Sequence, residues 1–296
     1  MTIELTADRV RATVHPDDGG ALRDLTVAGR AVLASTPWTT VGKEEGPART
    51  EQDWVARWHG GWQPCFPNAG PATAGVDPPQ GFHGNASQAP WTLLSSGDDT
   101  AELAWADAAG LGSRRRWTLR PGGAELSASA TNDGDQARPI VLAEHLILGS
   151  DLLTTLLDGP ATLELPAGAV VEELAYDGTP TGRRDHWPGD RAAVDASIPA
   201  RVFAVRDVTV AAVTCPAATV RLSWRGAAVP HLLVWQEFAR SAEPPWNGET
   251  YAFGLEPTST AHGAGLGAGH GAVVLAPGES MEWSVSLEVE WRDVRS

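Results

Sequence analysis

The chain has 296 residues, 42% hydrophobic and 20% charged, enough to close the core of one large domain or two average ones. Its formal net charge of -15 argues against nucleic acid or an anionic membrane as partner, because both are met by basic patches. No uncharged apolar run is long enough to span a bilayer, and the start Met1-Thr2-Ile3-Glu4-Leu5 lacks the basic segment and apolar core of a signal peptide, so a soluble, cytoplasmic protein is expected.

Strand signals dominate from the first residues onward. Ile3 to Val14 alternates as one strand and stops at the turn cluster His15-Pro16-Asp17-Asp18-Gly19-Gly20. The one lysine, Lys43, sits in the loop-like setting Gly42-Lys43-Glu44-Glu45-Gly46, a poor place for Schiff-base or pyridoxal chemistry, which needs a sheltered amine. Thr50-Glu51-Gln52-Asp53-Trp54 has the form of a capped helix start, with Trp54, Arg57 and Trp58 at helical spacing before Gly60-Gly61. Cys65 and Cys215 form no CxxC pair and read as incidental thiols of a reduced protein. The basic run Arg114-Arg115-Arg116 reads as a solvated strand face with Trp117 turned inward.

Arg116 to Arg120 and Ala124 to Ala130 flank Pro121-Gly122-Gly123 as a hairpin, with Ala124, Leu126, Ala128 and Ala130 on one face. Asn132-Asp133-Gly134-Asp135 turns the chain into Ile140 to Leu148. Short β-branched or aromatic runs follow at Arg201 to Val205, Val208 to Val213, Thr219 to Trp224 and Leu232 to Trp235. Gly263 to Gly269 lacks the context of a dinucleotide fingerprint and reads as a flexible loop. Ala272 to Leu275 and Met281 to Trp291, around Ala276-Pro277-Gly278-Glu279, predict a closing hairpin. Many short strands, few helical signals and no composition break predict an all-β protein, a large antiparallel β-sandwich with few short helices, in one domain over 1–296.

Three ionisable residues stand where chemistry would want them. Glu256 lies in the apolar strand Tyr251-Ala252-Phe253-Gly254-Leu255-Glu256-Pro257, and a carboxylate among such neighbours is desolvated and becomes a stronger base, unless it faces water or pairs with an arginine. His83 is flanked by glycines in Gln80-Gly81-Phe82-His83-Gly84-Asn85, which lets the backbone approach a ligand. Alternation puts His145 on the face of Val141, Ala143 and Ile147, as a hydrogen-bonded core histidine or a pocket wall.

With Val14 to Leu25, Phe66-Pro67-Asn68-Ala69-Gly70, Gly81-Phe82-His83-Gly84, Gly254-Leu255-Glu256-Pro257-Thr258 and Leu275 to Ser280 in this order, the chain resembles the aldose 1-epimerases, or galactose-mutarotase-like proteins, over nearly its whole length. The resemblance implies a cofactor-free and metal-free enzyme acting on a small sugar as monomer or homodimer. It makes Glu256 the general base at the anomeric hydroxyl, His145 the acid at the ring oxygen and His83 a hydrogen-bonding partner of the reacting oxygens. Trp62 and Trp235 are candidates, with Trp58, to stack on the sugar, and Gln63, Asn68 and Glu237 to bind its hydroxyls. Where the family commonly carries an arginine, this chain has Pro71 and Ala72 after Gly70, and a phosphorylated substrate would have to find Arg57, Arg183 or Arg184. A non-catalytic carbohydrate-binding protein is the rival on the same scaffold. A metal site built from His59, His83, His145 and Glu256 lacks the usual His-x-His pair.

Overall fold

The computed structural model describes residues 1–38, 46–149, 152, 161–189, 191–194, 198 and 200–292; Lys43 lies outside them. Two large antiparallel sheets stack face to face, eleven-stranded and nine-stranded among the described residues. The larger runs Ile3–Ala7, Val10–His15, Ala21–Val27, Trp62–Cys65, Ala143–Leu148, Tyr251–Thr258, His231–Phe238, Ala200–Val205, Val170–Leu174 and Pro180–His186, with Arg30–Ala31 beside the third. The smaller is centred on the long strands Ser280–Trp291, Gly123–Asn132 and Leu111–Arg120. Each strand sends alternate residues between the sheets, so Leu146, Leu148, Val234 and Leu255 of one meet Leu126, Leu222, Val285 and Leu287 of the other in a single buried core.

The expected hairpin across Pro121-Gly122 and its buried Ala124-Leu126-Ala128-Ala130 face are present. The helix is Glu51–Arg57, its first turn capped by the Thr50 hydroxyl accepting from the Asp53 amide at 3.1 Å. No helix among the described residues is long and apolar enough to cross a membrane.

Four expectations need correction. The run from Ile3 to Val14 is two strands folded on each other around Asp8, which takes a φ of 49°. The C-terminal segments do not pair as a hairpin: Val273–Leu275 pairs with Arg138–Ile140, while Ser280–Trp291 joins the smaller sheet. The buried Asn132 amide explains this, because it donates to Leu275 O and to Gln136 O and so ties the turn to the far side. Arg115 is not solvated but points inward with Trp117 and grips Glu144 through paired bonds of 2.9 and 2.7 Å. Within the glycine-rich stretch, Gly265–Ala268 forms a short 3-10 helix, with the Leu266 amide donating to Asn68 Oδ1 at 2.8 Å.

Candidate active site

The middle of the larger sheet carries the site on its outer face. The register pairing Ala143 with Thr258 and Ile147 with Gly254 puts His145 directly opposite Glu256. On either side the row continues to Gln63, paired with His145, and to Leu233, paired with Glu256. Residues so placed have Cβ atoms about 5 Å apart. The sequence assigned the three chemical residues by type; the sheet, with a loop that carries His83, brings Glu256, His145 and His83 to one cavity of about 160 Å³.

Gly254 shapes its floor. A Cβ there would lie 2.6 Å from Glu256 Oε1 and 3.0 Å from Ile147 Cδ1, so the absent side chain is the room the carboxylate occupies. Glu256 is 7% exposed and makes no hydrogen bond to the protein among the described residues. Burial alone pushes its carboxyl up to about 8. His145 is held neutral by burial, down to about 3, and its Nδ1 has no partner.

His83 enters from a loop in which its own φ is 57°, a left-handed conformation held by two backbone bonds, His83 N to Gly70 O and Phe66 N to His83 O. Its ring stands 5.7 Å from that of His145, and burial, with His145 beside it, keeps the imidazole well below its ordinary range. The helix supplies the cover. Trp54 packs edge-on against His83 and His145, with centroids at 4.8 and 5.3 Å, and stacks on Trp58 one turn on. Trp235 and Trp246 close the opposite side, and Tyr176 and Asp177 reach in from the turn that contacts Gly263.

Of the residues proposed to bind hydroxyls or stack, Trp235 and Trp58 line the cavity and the others serve elsewhere. Trp62 falls on the opposite pleat, fully buried between the sheets with its indole N–H donating to Glu144 at 3.0 Å. The Asn68 amide donates to the Gly70, Pro71 and Gly81 carbonyls and so pins the surrounding loops. Gln63 lies beside His145 but turns its amide to Ser87 at 3.4 Å. Glu237 accepts from the Arg240 and Ser241 amides and from the Tyr176 hydroxyl, orienting that ring without lining the cavity. Trp58, 1% exposed, belongs to the wall, and its indole nitrogen has no partner.

The arginines weighed for a phosphate lie outside. Arg57 donates to Gly46 O, while Arg183 and Arg184 sit on an exposed outer strand, 3.6 Å from Glu173 and Glu172. Asp185 and His186 belong to that same strand, and Trp187 is buried against Phe203. His59 lies by Asp18 at 3.9 Å, and among the described residues no group of three or more His, Cys, Asp or Glu could hold a metal ion. Sequence reasoning missed Glu51, Trp54, Tyr176, Asp177 and Trp246 as wall residues. Their only signal was indirect: Trp54 as the apolar face of a capped helix, and Tyr176 as one of only two tyrosines.

No protein-family model matches the chain, and no curated protein matches it. Solved structures do. A protein of Synechocystis sp. PCC 6803 is 19% identical, with 99% of this chain and 96% of that one covered and a TM-score of 0.73. A galactose mutarotase-like protein from Lactobacillus casei is 15% identical over 98% of this chain and 100% of its own, at 0.71. A galactose mutarotase related enzyme from Lactobacillus acidophilus is 14% identical over 98% and 97%, at 0.72. Likeness at this level is one of fold, and over nearly its full length the β-sandwich of this chain is similar to those of galactose mutarotase-like proteins.

Proposed function

We propose that the protein is an aldose 1-epimerase, interconverting the α and β anomers of a cyclic aldose by acid–base ring opening. The observation that carries this reading is a buried carboxyl group set opposite a buried imidazole, the carboxyl and the imidazole Nδ1 without a protein partner among the described residues, in a cavity walled by indoles. Buried polar groups are normally satisfied within the protein, so groups left open toward a cavity are set for a ligand. Indole faces suit the apolar face of a sugar ring.

The empty pair holds its one proton on Glu256, because burial disfavours both charged forms. Sugar hydroxyls donating to the carboxylate favour its ionised form, and that charge opposite His145 raises the imidazole. The proton thus moves across the pair with no change in net charge. Glu256 then takes the proton of the anomeric hydroxyl, the C1–O1 bond gains its second pair, and the bond from C1 to the ring oxygen breaks. His145 donates its proton to that oxygen. Rotation about C1–C2 and the reverse transfers close the ring as the other anomer. His83 hydrogen-bonds the reacting oxygens as charge develops.

Exchange NMR across aldoses tests the reading: Glu256→Gln should slow anomer exchange at least ~100-fold, the scale of a positioned acid or base. Sugar binding, followed by tryptophan fluorescence, should persist. Binding without acceleration of any sugar would instead favour the carbohydrate-binding alternative.

A further inference from the structure

The charge around the cavity is one-sided. The ionised side chains that line its mouth among the described residues are both carboxylates, Glu51 from the helix and Asp177 from the turn, above the protonated Glu256 of the floor. No arginine among the described residues joins them. Arg240 rests against Tyr176, 5.3 Å from its ring centre, and stays outside the lining. Arg57, at the other end of the helix, lines a neighbouring cavity.

Depth orders these acids. Glu256 and His145 are 7% and 6% exposed, whereas Glu51 and Asp177 are exposed at the mouth. Among the described residues neither mouth acid has an ion-pair partner, and Asp177 accepts from Thr179. Partial burial, and then the like charges of Glu243 and Asp177, raise the Glu51 carboxyl. Two groups point to a ligand here independently of the acids: the His145 Nδ1 and the Trp58 Nε1 are deeply buried and, among the described residues, unpartnered in the cavity wall. Indole and phenol faces of Trp54, Trp58, Trp235, Trp246 and Tyr176 also attract a cation.

We infer that this site prefers an amino sugar, an aldose bearing an ammonium group at the end remote from its anomeric carbon, and rejects a phosphorylated one. This rests on the epimerase reading only for the orientation, with the anomeric carbon inward at Glu256 and the far end of the ring at Glu51 and Asp177. A primary alkylamine is protonated at neutral pH. Its charge would meet the two mouth carboxylates, while a phosphate would add two negative charges to them.

The probes are 6-amino-6-deoxyglucose, glucose and glucose 6-phosphate, with the same three in the galacto configuration. Binding is read by tryptophan fluorescence and turnover by exchange NMR, at pH 7 in low salt. We expect the amine to bind at least fivefold tighter than the neutral sugar, and the phosphate at least tenfold more weakly. Both gaps should shrink in 0.5 M salt, on the order of one Debye length of 4 Å, and in the double variant Glu51→Gln, Asp177→Asn. The salt series on the unaltered chain keeps the test valid if that variant fails to fold. An amine that binds no better than the neutral sugar, a phosphate that binds as well, or no binding of the amine in either configuration overturns the inference. Charge-ordered binding without anomer exchange would sink the epimerase reading and leave this one standing; exchange without charge preference would do the reverse.

Discussion

At Glu256 the energetics of the site are written in one side chain. Its folded pKa, about 8, lies above the ordinary 4.5, so the native state holds a proton that the unfolded chain releases. Its stabilising contribution is complete below pH 4.5 and is lost as pH rises through about 8, at about 1.4 kcal/mol per pH unit. Glu256→Gln should therefore gain on the parent in urea denaturation midpoint between pH 5 and about 8, and equal pH dependence of the two would refute the neutral buried carboxyl. His145 acts with the opposite sign: depressed from 6.5 to about 3, it costs stability as pH falls through that interval. Gly254→Ala places a methyl where the carboxylate lies, and should cut anomer exchange more than tenfold, with a loss of about 1–3 kcal/mol from overpacking. Unchanged turnover would mean that Glu256 is free to move elsewhere.

Single elements explain which residues sequence could place. The pleat grouped His145 with Val141, Ala143 and Ile147, a face that lies outside the main core, because alternation within one strand needs no knowledge of its neighbours. Trp62 went astray for the complementary reason: its side of the sheet follows from pairing with Leu146, a partner 84 positions away. Asn68, Gln63 and Glu237 have the right chemistry for sugar hydroxyls, but backbone groups and neighbouring side chains claimed them first, which a residue type does not reveal. Glu51, Tyr176 and Asp177 arrive at the cavity from distant segments. The helix was legible by its cap, and that cap is testable. Thr50→Ala should cost about 1 kcal/mol of stability and raise KM more than it lowers kcat, because it loosens the Trp54 cover without touching the reacting groups. A kcat loss alone would contradict that division.

For the whole molecule, the repeated strand signals were enough to predict the sandwich, but not what fastens its sheets together. Glu144 accepts from Arg115 and from the Trp62 and Trp283 indoles, joining the larger sheet to two long strands of the smaller one. A basic run looks like surface in sequence; only the stacking of the sheets turns Arg115 into the interior partner of that acid. Arg115→Met should cost about 3–5 kcal/mol, since it strands a buried charge, and the double change with Glu144→Leu should cost less than that single one. A double variant as unstable as the single would show that packing, not charge, sets the loss.

Adjacent positions on one strand thus hold the fastening and the chemistry: Glu144 faces inward and His145 outward. Were that strand to pair one residue out of step, both would exchange sides, with an imidazole set against Arg115 and a carboxylate delivered to the cavity. Such a molecule would be inactive and poorly fastened at once. Specific activity, measured during refolding, then counts the molecules whose central strand has found its proper alignment.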